Sequence, residues 1–148
     1  MSCLCWNVCG LRSQCIVHEL ALLVSAQDPS VVFLAETWAN EDRFSKLCDD
    51  LQFDEKWIVQ RITRSRGLAL LWKNYLVIYV DWSSLNYINA IINKGKEDPW
   101  SFIRIYGVLE ASINSKTWDL LRNLNQNFNL PWVCVWAQRS THRLNRPL

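Results

Sequence analysis

The order of hydrophobic and polar positions divides the first third of the chain into alternating strands and helices. Two short apolar runs predict buried strands, and two segments with apolar residues at helical spacing predict amphipathic helices: residues 3–8 and 31–36 for the strands, and 13–28 and 41–51 for the helices. Ser13 and Asn40 precede the helical segments as candidate N-caps, and Pro29 follows the first of them. The pattern therefore predicts a strand–helix–strand–helix opening.

The middle of the chain changes to short segments that are rich in β-branched and aromatic residues. Polar, Gly or Pro breaks separate these predicted strands, which are residues 57–62, 67–72, 75–82, 87–92 and 101–106. Ser115 opens a third helical segment, and residues 131–135 predict one more strand. This order of elements predicts an α/β fold, a layered α/β sandwich in which helices cover the sheet faces, and it leaves the strand pairing open.

Composition narrows the class of protein. The chain has 148 residues, of which 50% are hydrophobic and 20% charged, and this fits one domain with a real core. No stretch of 18 apolar residues occurs, so a transmembrane segment is not expected, and the composition does not fit a disordered chain. The start lacks a basic leader and a long apolar segment, so we expect no signal peptide and an intracellular location, in the nucleus or the cytoplasm.

Six cysteines raise the question of a metal or disulfide framework. The three nearest one another are Cys3, Cys5 and Cys9, and their spacing lacks the C-x2-C pairs of structural zinc sites. Without an export signal, free thiols are favoured over disulfides. We therefore interpret the cluster as buried thiols on a strand, with zinc binding as the less favoured alternative.

Charge gives little support to nucleic-acid binding, because the net charge is only +2. Two local groups of arginines are present, and either could be a solvated face: Arg61, Arg64 and Arg66, and Arg139, Arg143 and Arg146. Residues 137–148 have no apolar period and predict a basic, disordered tail. The predicted domain therefore covers residues 1–136.

Two polar residues end the first two predicted strands. If these strands are parallel and joined by the intervening helix, Asn7 and Glu36 lie at the same edge of the sheet, where α/β folds place ligands. A carboxylate beside a carboxamide could bind a hard divalent cation such as Mg²⁺. The alternative, which periodicity alone favours, is an Asn ending a strand in a turn and a Glu facing water.

Six segments, in the same order, resemble one known family. They are Asn7-Val8-Cys9-Gly10, residues 31–37 ending in Glu36-Thr37, residues 67–72, Ile105-Tyr106-Gly107, residues 118–121 and residues 131–135. Together they resemble the endonuclease/exonuclease/phosphatase family, in particular the apurinic-endonuclease-like domain carried by non-long-terminal-repeat retrotransposons that abound in plant genomes. The resemblance covers residues 1–135.

This resemblance implies a magnesium-dependent phosphodiesterase, specifically a DNA endonuclease. The residue matching Glu36 binds Mg²⁺, or Mn²⁺, the one matching Asn7 helps to position the metal and a water, and the one matching Tyr106 contacts the scissile phosphate. The implied reaction is hydrolysis by a metal-activated water. Read from the pattern alone, Tyr106 is a half-buried strand aromatic, and Trp132 is assigned to packing in the same way.

The resemblance fails near the end of the chain. Trp136-Ala137-Gln138-Arg139 stands where the family has Gly-Asp-Phe-Asn, and the closing Ser-Asp and Asp-His motifs are not found before Leu148. Cys9 replaces an Arg, and Tyr87 and Asn89 replace a His and an Asp. The abrupt loss of register after Val135 suggests a frameshift or a misassigned exon boundary in a decaying retroelement.

These departures lead us to expect a truncated pseudoenzyme with little or no turnover. Open sheet edges would favour aggregation, and the oligomeric state is otherwise open. The alternative function is a non-catalytic remnant that binds nothing specific, or at most binds nucleic acid weakly through its arginines. Reading the coding DNA out of frame after Val135 tests the frameshift hypothesis, since a Gly-Asp-Phe-Asn-like peptide should then appear.

Overall fold

The computed structural model describes residues 1–60, 67–107, 111–127 and 129–138. Eight strands and three helices follow one another in these ranges: β1 (Cys3–Asn7), α1 (Gln14–Gln27), β2 (Val31–Ala35), α2 (Glu41–Leu51), β3 (Glu55–Val59), β4 (Leu68–Trp72), β5 (Ile78–Ser83), β6 (Tyr87–Ile92), β7 (Trp100–Gly107), α3 (Ala111–Asn127) and β8 (Trp132–Gln138). Each of the eight predicted strands overlaps an observed one. In the described part of the chain, no helix is both long and apolar enough to cross a membrane.

The strands form two four-stranded sheets. The N-terminal sheet has the order β1-β2-β4-β3, and the C-terminal sheet has the order β5-β6-β7-β8. In each sheet one parallel pair follows a helical crossover, namely β1 with β2 after α1 and β7 with β8 after α3. The other pairs are antiparallel. Three of them join strands that are consecutive in the chain, whereas β2 and β4 pair although α2 and β3 lie between them.

Alternation along the strands places the core in three layers of side chains. On β2, Val32 and Leu34 pack with helices α1 and α2, whereas Val31, Phe33 and Ala35 pack against the C-terminal sheet. A third cluster joins the outer face of the C-terminal sheet to α3. The fold is therefore a helix–sheet–sheet–helix sandwich, and the predicted layered α/β class is confirmed.

The helix boundaries test the capping predictions. The Asn40 side chain accepts a hydrogen bond from the Arg43 amide at 3.1 Å, so the predicted cap of α2 is present. Ser13 occupies the cap position of α1 but makes no side-chain cap bond. Helix α3 begins four residues before Ser115, and the predicted start was wrong because an exposed Ser is also tolerated within a helical turn.

The first strand and its thiols differ from the prediction of a buried strand. Strand β1 is one of the two outer strands of the N-terminal sheet, and its residues are exposed or half-buried. Consequently Cys3 and Cys9 are exposed and Cys5 is half-buried, so the interpretation as buried thiols was wrong. No cluster of three or more potential His, Cys, Asp or Glu metal ligands occurs among the described residues.

The end of the chain was predicted to leave the domain at residue 136. Strand β8 continues to Gln138, two residues further, because its backbone pairs with β7 as far as Gly107. Residues 139–148 lie outside the described residues, as do residues 61–66. Both predicted arginine clusters fall there, and the disordered tail stays a prediction.

Candidate functional site

The carboxyl ends of β1 and β2 bring the first two candidate residues to one edge of the N-terminal sheet. Asn7 is the register partner of Ala35, and the Val8 amide donates to the Ala35 carbonyl at 3.0 Å. Glu36 follows Ala35 directly, so it lies beside Asn7 along the backbone. The parallel pairing on which their predicted meeting depended is therefore present.

The third candidate reaches the same place from the other sheet. The Tyr106 hydroxyl, on β7, donates a hydrogen bond to Glu36 Oε1, and both side chains are buried, at 5% and 3% exposure. A buried carboxylate is costly unless it is hydrogen-bonded or paired with a cation, and here Tyr106 supplies a donor. Tyr106 also packs in the cluster between the sheets, so it combines the core role expected from the pattern with a polar contact.

Asn7 ends its strand in a turn. Its Oδ1 accepts hydrogen bonds from the Cys9 amide at 3.2 Å and from Cys9 Sγ at 3.6 Å. This is the turn role that periodicity alone favoured. The two contacts engage both lone pairs of the carboxamide oxygen, so a cation at Asn7 would have to displace the longer one, from the Cys9 thiol. Glu36, by contrast, does not face water as the alternative had it, because it is buried.

The backbone around Glu36 adopts an unusual conformation. Cys9, Glu36 and Trp38 have φ angles of 49°, 55° and 51°, in the left-handed region that non-glycine residues rarely adopt. Such residues cost of order 1–3 kcal/mol each and persist where the surroundings hold them. We use the term Glu36 rim for residues 7–12 and 36–40, which contain all three.

Hydrogen bonds and a close contact hold the Glu36 rim in place. The Leu11 amide donates to the Thr37 carbonyl at 2.8 Å, and the Thr37 amide donates to the Gly67 carbonyl at 3.4 Å. Gly67 has a φ of 74°, and a Cβ there would lie 2.6 Å from Thr37 Oγ1. A glycine is therefore required at the start of β4 for the rim to close.

Cavities open beside the rim, and sequence reasoning missed them. Arg12, Trp38 and Asn40 line two of them, with volumes of 310 and 270 Å³. Arg43 lines the larger one and is fixed by hydrogen bonds to the Leu11 carbonyl, at 3.2 Å from Nε and 2.9 Å from Nη2. The signal that could have revealed them is Trp38 itself, a large aromatic that stands just after the second strand in a polar connection.

A buried cation that the sequence analysis also missed lies behind the site. Arg104, two residues before Tyr106 on β7, is 4% exposed and places its guanidinium carbon 5.0 Å from the centre of the Phe33 ring. Burial lowers the pKa of Arg104, and its Nε atom has no hydrogen-bond partner. A hydrogen bond from Cys3, assisted by the charge of Arg104, lowers the pKa of the Cys5 thiol to about 7.

Cys9 and Asn89 stand at two positions where the sequence departs from the family that it resembles, and the structure places the first on the surface and the second in the core. Cys9 is exposed on the rim, and its thiol cannot supply the charge of the arginine that the family has there. Asn89 is fully buried on β6, where its Oδ1 accepts a hydrogen bond from Ser101 Oγ at 2.7 Å. Its Nδ2 has no hydrogen-bond partner, so only the oxygen of this buried amide is hydrogen-bonded.

The donor atoms at the rim suit a hard divalent cation. Glu36 offers a carboxylate and Asn7 a carboxamide oxygen, and Mg²⁺ is typically held by one or two carboxylates together with waters and phosphate oxygens. A cation bound there would therefore depend on substrate and solvent for most of its coordination.

Comparison with known proteins gives a match at the level of structure. No protein-family model and no curated protein matches the chain by sequence. The endonuclease domain of TRAS1, a telomere-specific non-LTR retrotransposon, is similar with a TM-score of 0.59 and 11% identity over 90% of this chain and 57% of that one. The AP endonuclease LMAP from Leishmania major gives 0.61 and 17% over 92% and 54%.

An endonuclease/exonuclease/phosphatase family protein from Bacteroides thetaiotaomicron is similar as well, with a TM-score of 0.57 and 10% identity over 81% of this chain and 53% of that one. The chain thus spans little more than half the length of these three structures. Identities this low establish the fold alone. The chain has the fold of the endonuclease/exonuclease/phosphatase proteins.

Proposed function

We propose that this chain is a nuclease-like domain that binds a phosphodiester at the Glu36 rim, together with Mg²⁺ or Mn²⁺ at Glu36 and Asn7, and turns it over slowly or not at all. The observation that carries the proposal is the buried Glu36 carboxylate, which a tyrosine from the second sheet holds at the carboxyl edge of the first. A structural role alone rarely places an acidic side chain in such a position.

Each residue has a distinct role in this proposal. Tyr106 fixes the orientation of Glu36 by donating to Oε1, and its ring closes the space between the sheets. Asn7 offers its amide oxygen at the same edge, where that oxygen also accepts hydrogen bonds from the Cys9 amide and thiol. The bound cation would neutralise negative charge that develops on the phosphoryl oxygens.

Low turnover follows from what surrounds this centre. The sequence after Val135 contains no Gly-Asp-Phe-Asn, and the described residues contain no cluster of three His, Cys, Asp or Glu side chains. The Glu36 rim, residues 7–12 and 36–40, contains neither a histidine nor a second carboxylate that could take the proton from an attacking water. Catalytic groups act as a unit, and loss of a general base costs about 10²–10⁴-fold on its own.

DNA is the phosphodiester that the similar proteins favour, and a retroelement origin is part of the proposal. TRAS1 is a retrotransposon endonuclease, and LMAP is an AP endonuclease. The positive side chains of Arg12 and Arg43 beside the rim are compatible with a phosphate backbone. A nuclear or cytoplasmic location belongs to the same proposal.

Metal binding tests the proposal without depending on activity. Titration of the protein with Mn²⁺, followed by electron paramagnetic resonance, should show a bound ion that Glu36→Gln removes. Glu19→Gln is the matched control, because Glu19 is an exposed carboxylate on α1 that lines neither cavity beside the rim. Equal Mn²⁺ binding by wild type and Glu36→Gln would overturn the proposed metal site.

A nicking assay on supercoiled DNA with Mg²⁺ tests turnover. We expect wild type and Glu36→Gln to differ little, both close to background. Nicking by wild type that Glu36→Gln abolishes would show an active endonuclease and contradict the low turnover. DNA binding without metal binding would instead support the alternative, a non-catalytic nucleic-acid-binding module.

A further inference from the structure

Trp38 is an exposed aromatic at a strained position of the Glu36 rim. It lies two residues after Glu36, is 40% exposed, and has a φ of 51°. Strain at a bulky residue is costly, and it concentrates at binding and catalytic sites. Gly10 has a φ of 104°, and a Cβ added to it would lie 4.0 Å from the Trp38 Cβ. The two loops of the rim therefore meet at Trp38.

The space in front of Trp38 has the size of a ligand site. Two cavities of 310 and 270 Å³ share Trp38 and Arg12 in their walls, and small-molecule sites begin at about 300 Å³. Arg43 lines the first cavity, whereas Gln60 and Glu41 line the second. The first cavity is therefore lined by two cations, and in the second Arg12 faces the same space as an acidic and an uncharged side chain; the indole of Trp38 lines both.

This combination selects among the parts of a nucleotide. An indole face stacks on any base, whereas Arg12 and Arg43 attract the flanking phosphates electrostatically. Glu41 repels a phosphate but accepts hydrogen bonds from the amino groups of a base. A base can stack only when it is not already stacked within a duplex, so the site fits an unpaired nucleotide.

We propose that Trp38 and Arg12 form a nucleobase-stacking subsite that holds an unpaired nucleotide next to the phosphodiester at Glu36. The inference rests on the proposed function for the position of the phosphodiester, and it adds the residue that binds the neighbouring base. Trp38 supplies affinity that does not depend on sequence, and Arg12 supplies affinity that depends on salt.

The test is fluorescence anisotropy with a fluorescein-labelled single-stranded DNA of mixed sequence, in EDTA, so that neither metal nor hydrolysis contributes. Trp38→Ala should weaken binding by about tenfold, and Trp38→Phe should retain most of the affinity, because phenylalanine keeps an aromatic face. Trp82→Ala is the matched control, since Trp82 is 62% exposed on β5 and lines neither cavity. The control should bind as wild type does.

Two further arms sharpen the assignment. Arg12→Ala should lower the salt dependence of binding by about one phosphate contact, and the same strand in duplex form should bind more weakly than the single strand. Circular dichroism of Trp38→Ala shows whether the variant folds. If it does not, Trp38→Leu keeps an apolar side chain without an aromatic face, and binding by Trp38→Leu as tight as by Trp38→Phe would overturn the stacking subsite. Absence of binding by wild type overturns the subsite.

The outcome is separable from that of the proposed function. The anisotropy experiment is carried out in EDTA, so its result does not depend on the cation or on the residues that would hold it. Failure of the Mn²⁺ experiment would overturn the metal site and leave the Trp38 result standing. Equal affinity of wild type and Trp38→Ala, or equal losses in Trp38→Ala and Trp82→Ala, would overturn the stacking subsite whatever the metal does.

Discussion

Two strands with similarly apolar sequences have opposite surroundings in this molecule. All five residues of β2 are buried, with helices on one face, the second sheet on the other, and strands β1 and β4 at its edges. Among the described residues, strand β8 pairs with β7 alone, and Trp132, Val133 and Trp136 are 43%, 50% and 37% exposed. Apolar composition therefore does not decide burial, because burial depends on what the rest of the fold places on each face.

Truncation of a core side chain in β2 should have the largest effect on stability. Leu34→Ala removes a side chain of 0% exposure between the N-terminal sheet and its helices, and we expect a loss of about 2–5 kcal/mol in the free energy of unfolding. Urea denaturation followed by circular dichroism measures it. Val133→Ala in β8 should cost only about 0.5 kcal/mol, because the side chain is half exposed.

A matched pair makes this comparison stricter. Val32→Ala in β2 and Val133→Ala in β8 delete the same atoms, from sites that are 0% and 50% exposed. The two losses should differ by more than a factor of two if burial is the cause. Similar losses at the two sites would mean that β8 is covered in solution by something that the described residues do not include.

Periodicity predicted the fold well because it reports local structure and the choice of buried face. The strands and helices up to Leu51 lie within two residues of their predicted ends, and the Asn40 cap was recognised from one residue and its position. The pairing of strands and the packing of the two sheets could not be predicted in this way. The contact of Tyr106 with Glu36, for example, joins positions 70 residues apart, and no local pattern encodes it.

The candidate site was only partly accessible to sequence reasoning. The position of Asn7 and Glu36 at one edge of the sheet was predicted, because strand ends mark ligand sites in α/β folds. Trp38 and Arg104 were not found, since the importance of the first depends on its exposure and φ angle, and that of the second on burial between two sheets. Such properties are set by tertiary packing, which one sequence does not display.

The next largest effect should come from the glycine that closes the Glu36 rim. Gly67→Ala adds a Cβ 2.6 Å from Thr37 Oγ1 at a φ of 74°, so it combines a steric clash with backbone strain. We expect a loss of about 1–3 kcal/mol in the free energy of unfolding, measured by urea denaturation. Gly95, in the turn between β6 and β7, has a φ of 80° but no atom within 4 Å of an added Cβ. Gly95→Ala should therefore cost less than Gly67→Ala, and the difference measures the steric clash.

A smaller effect is expected at the helix caps over the N-terminal sheet. Asn40→Ala removes an acceptor for the Arg43 amide and should lower the free energy of unfolding by about 1 kcal/mol. Ser13→Ala on α1 is the control, because Ser13 makes no side-chain cap bond and its loss should be smaller. Thermal melts of both variants measure the difference, and equal losses would contradict the assigned capping roles.

The smallest effect on stability and the clearest effect on association should come from a charge on β8. Val133→Lys places a cation on an outer strand whose residues 132–138 carry no charge, and charged side chains are a common protection of such strands. The free energy of unfolding should change by no more than about 0.5 kcal/mol. Light scattering at increasing protein concentration should show less association than for wild type.

Leu22→Lys makes the same change at a 57% exposed site on α1, away from any strand edge, and should leave association unchanged. If both lysines reduce association equally, net charge is responsible. A reduction confined to Val133→Lys assigns the association to the edge of β8, whose apolar side chains are exposed, in contrast to those of β2 in the first sheet.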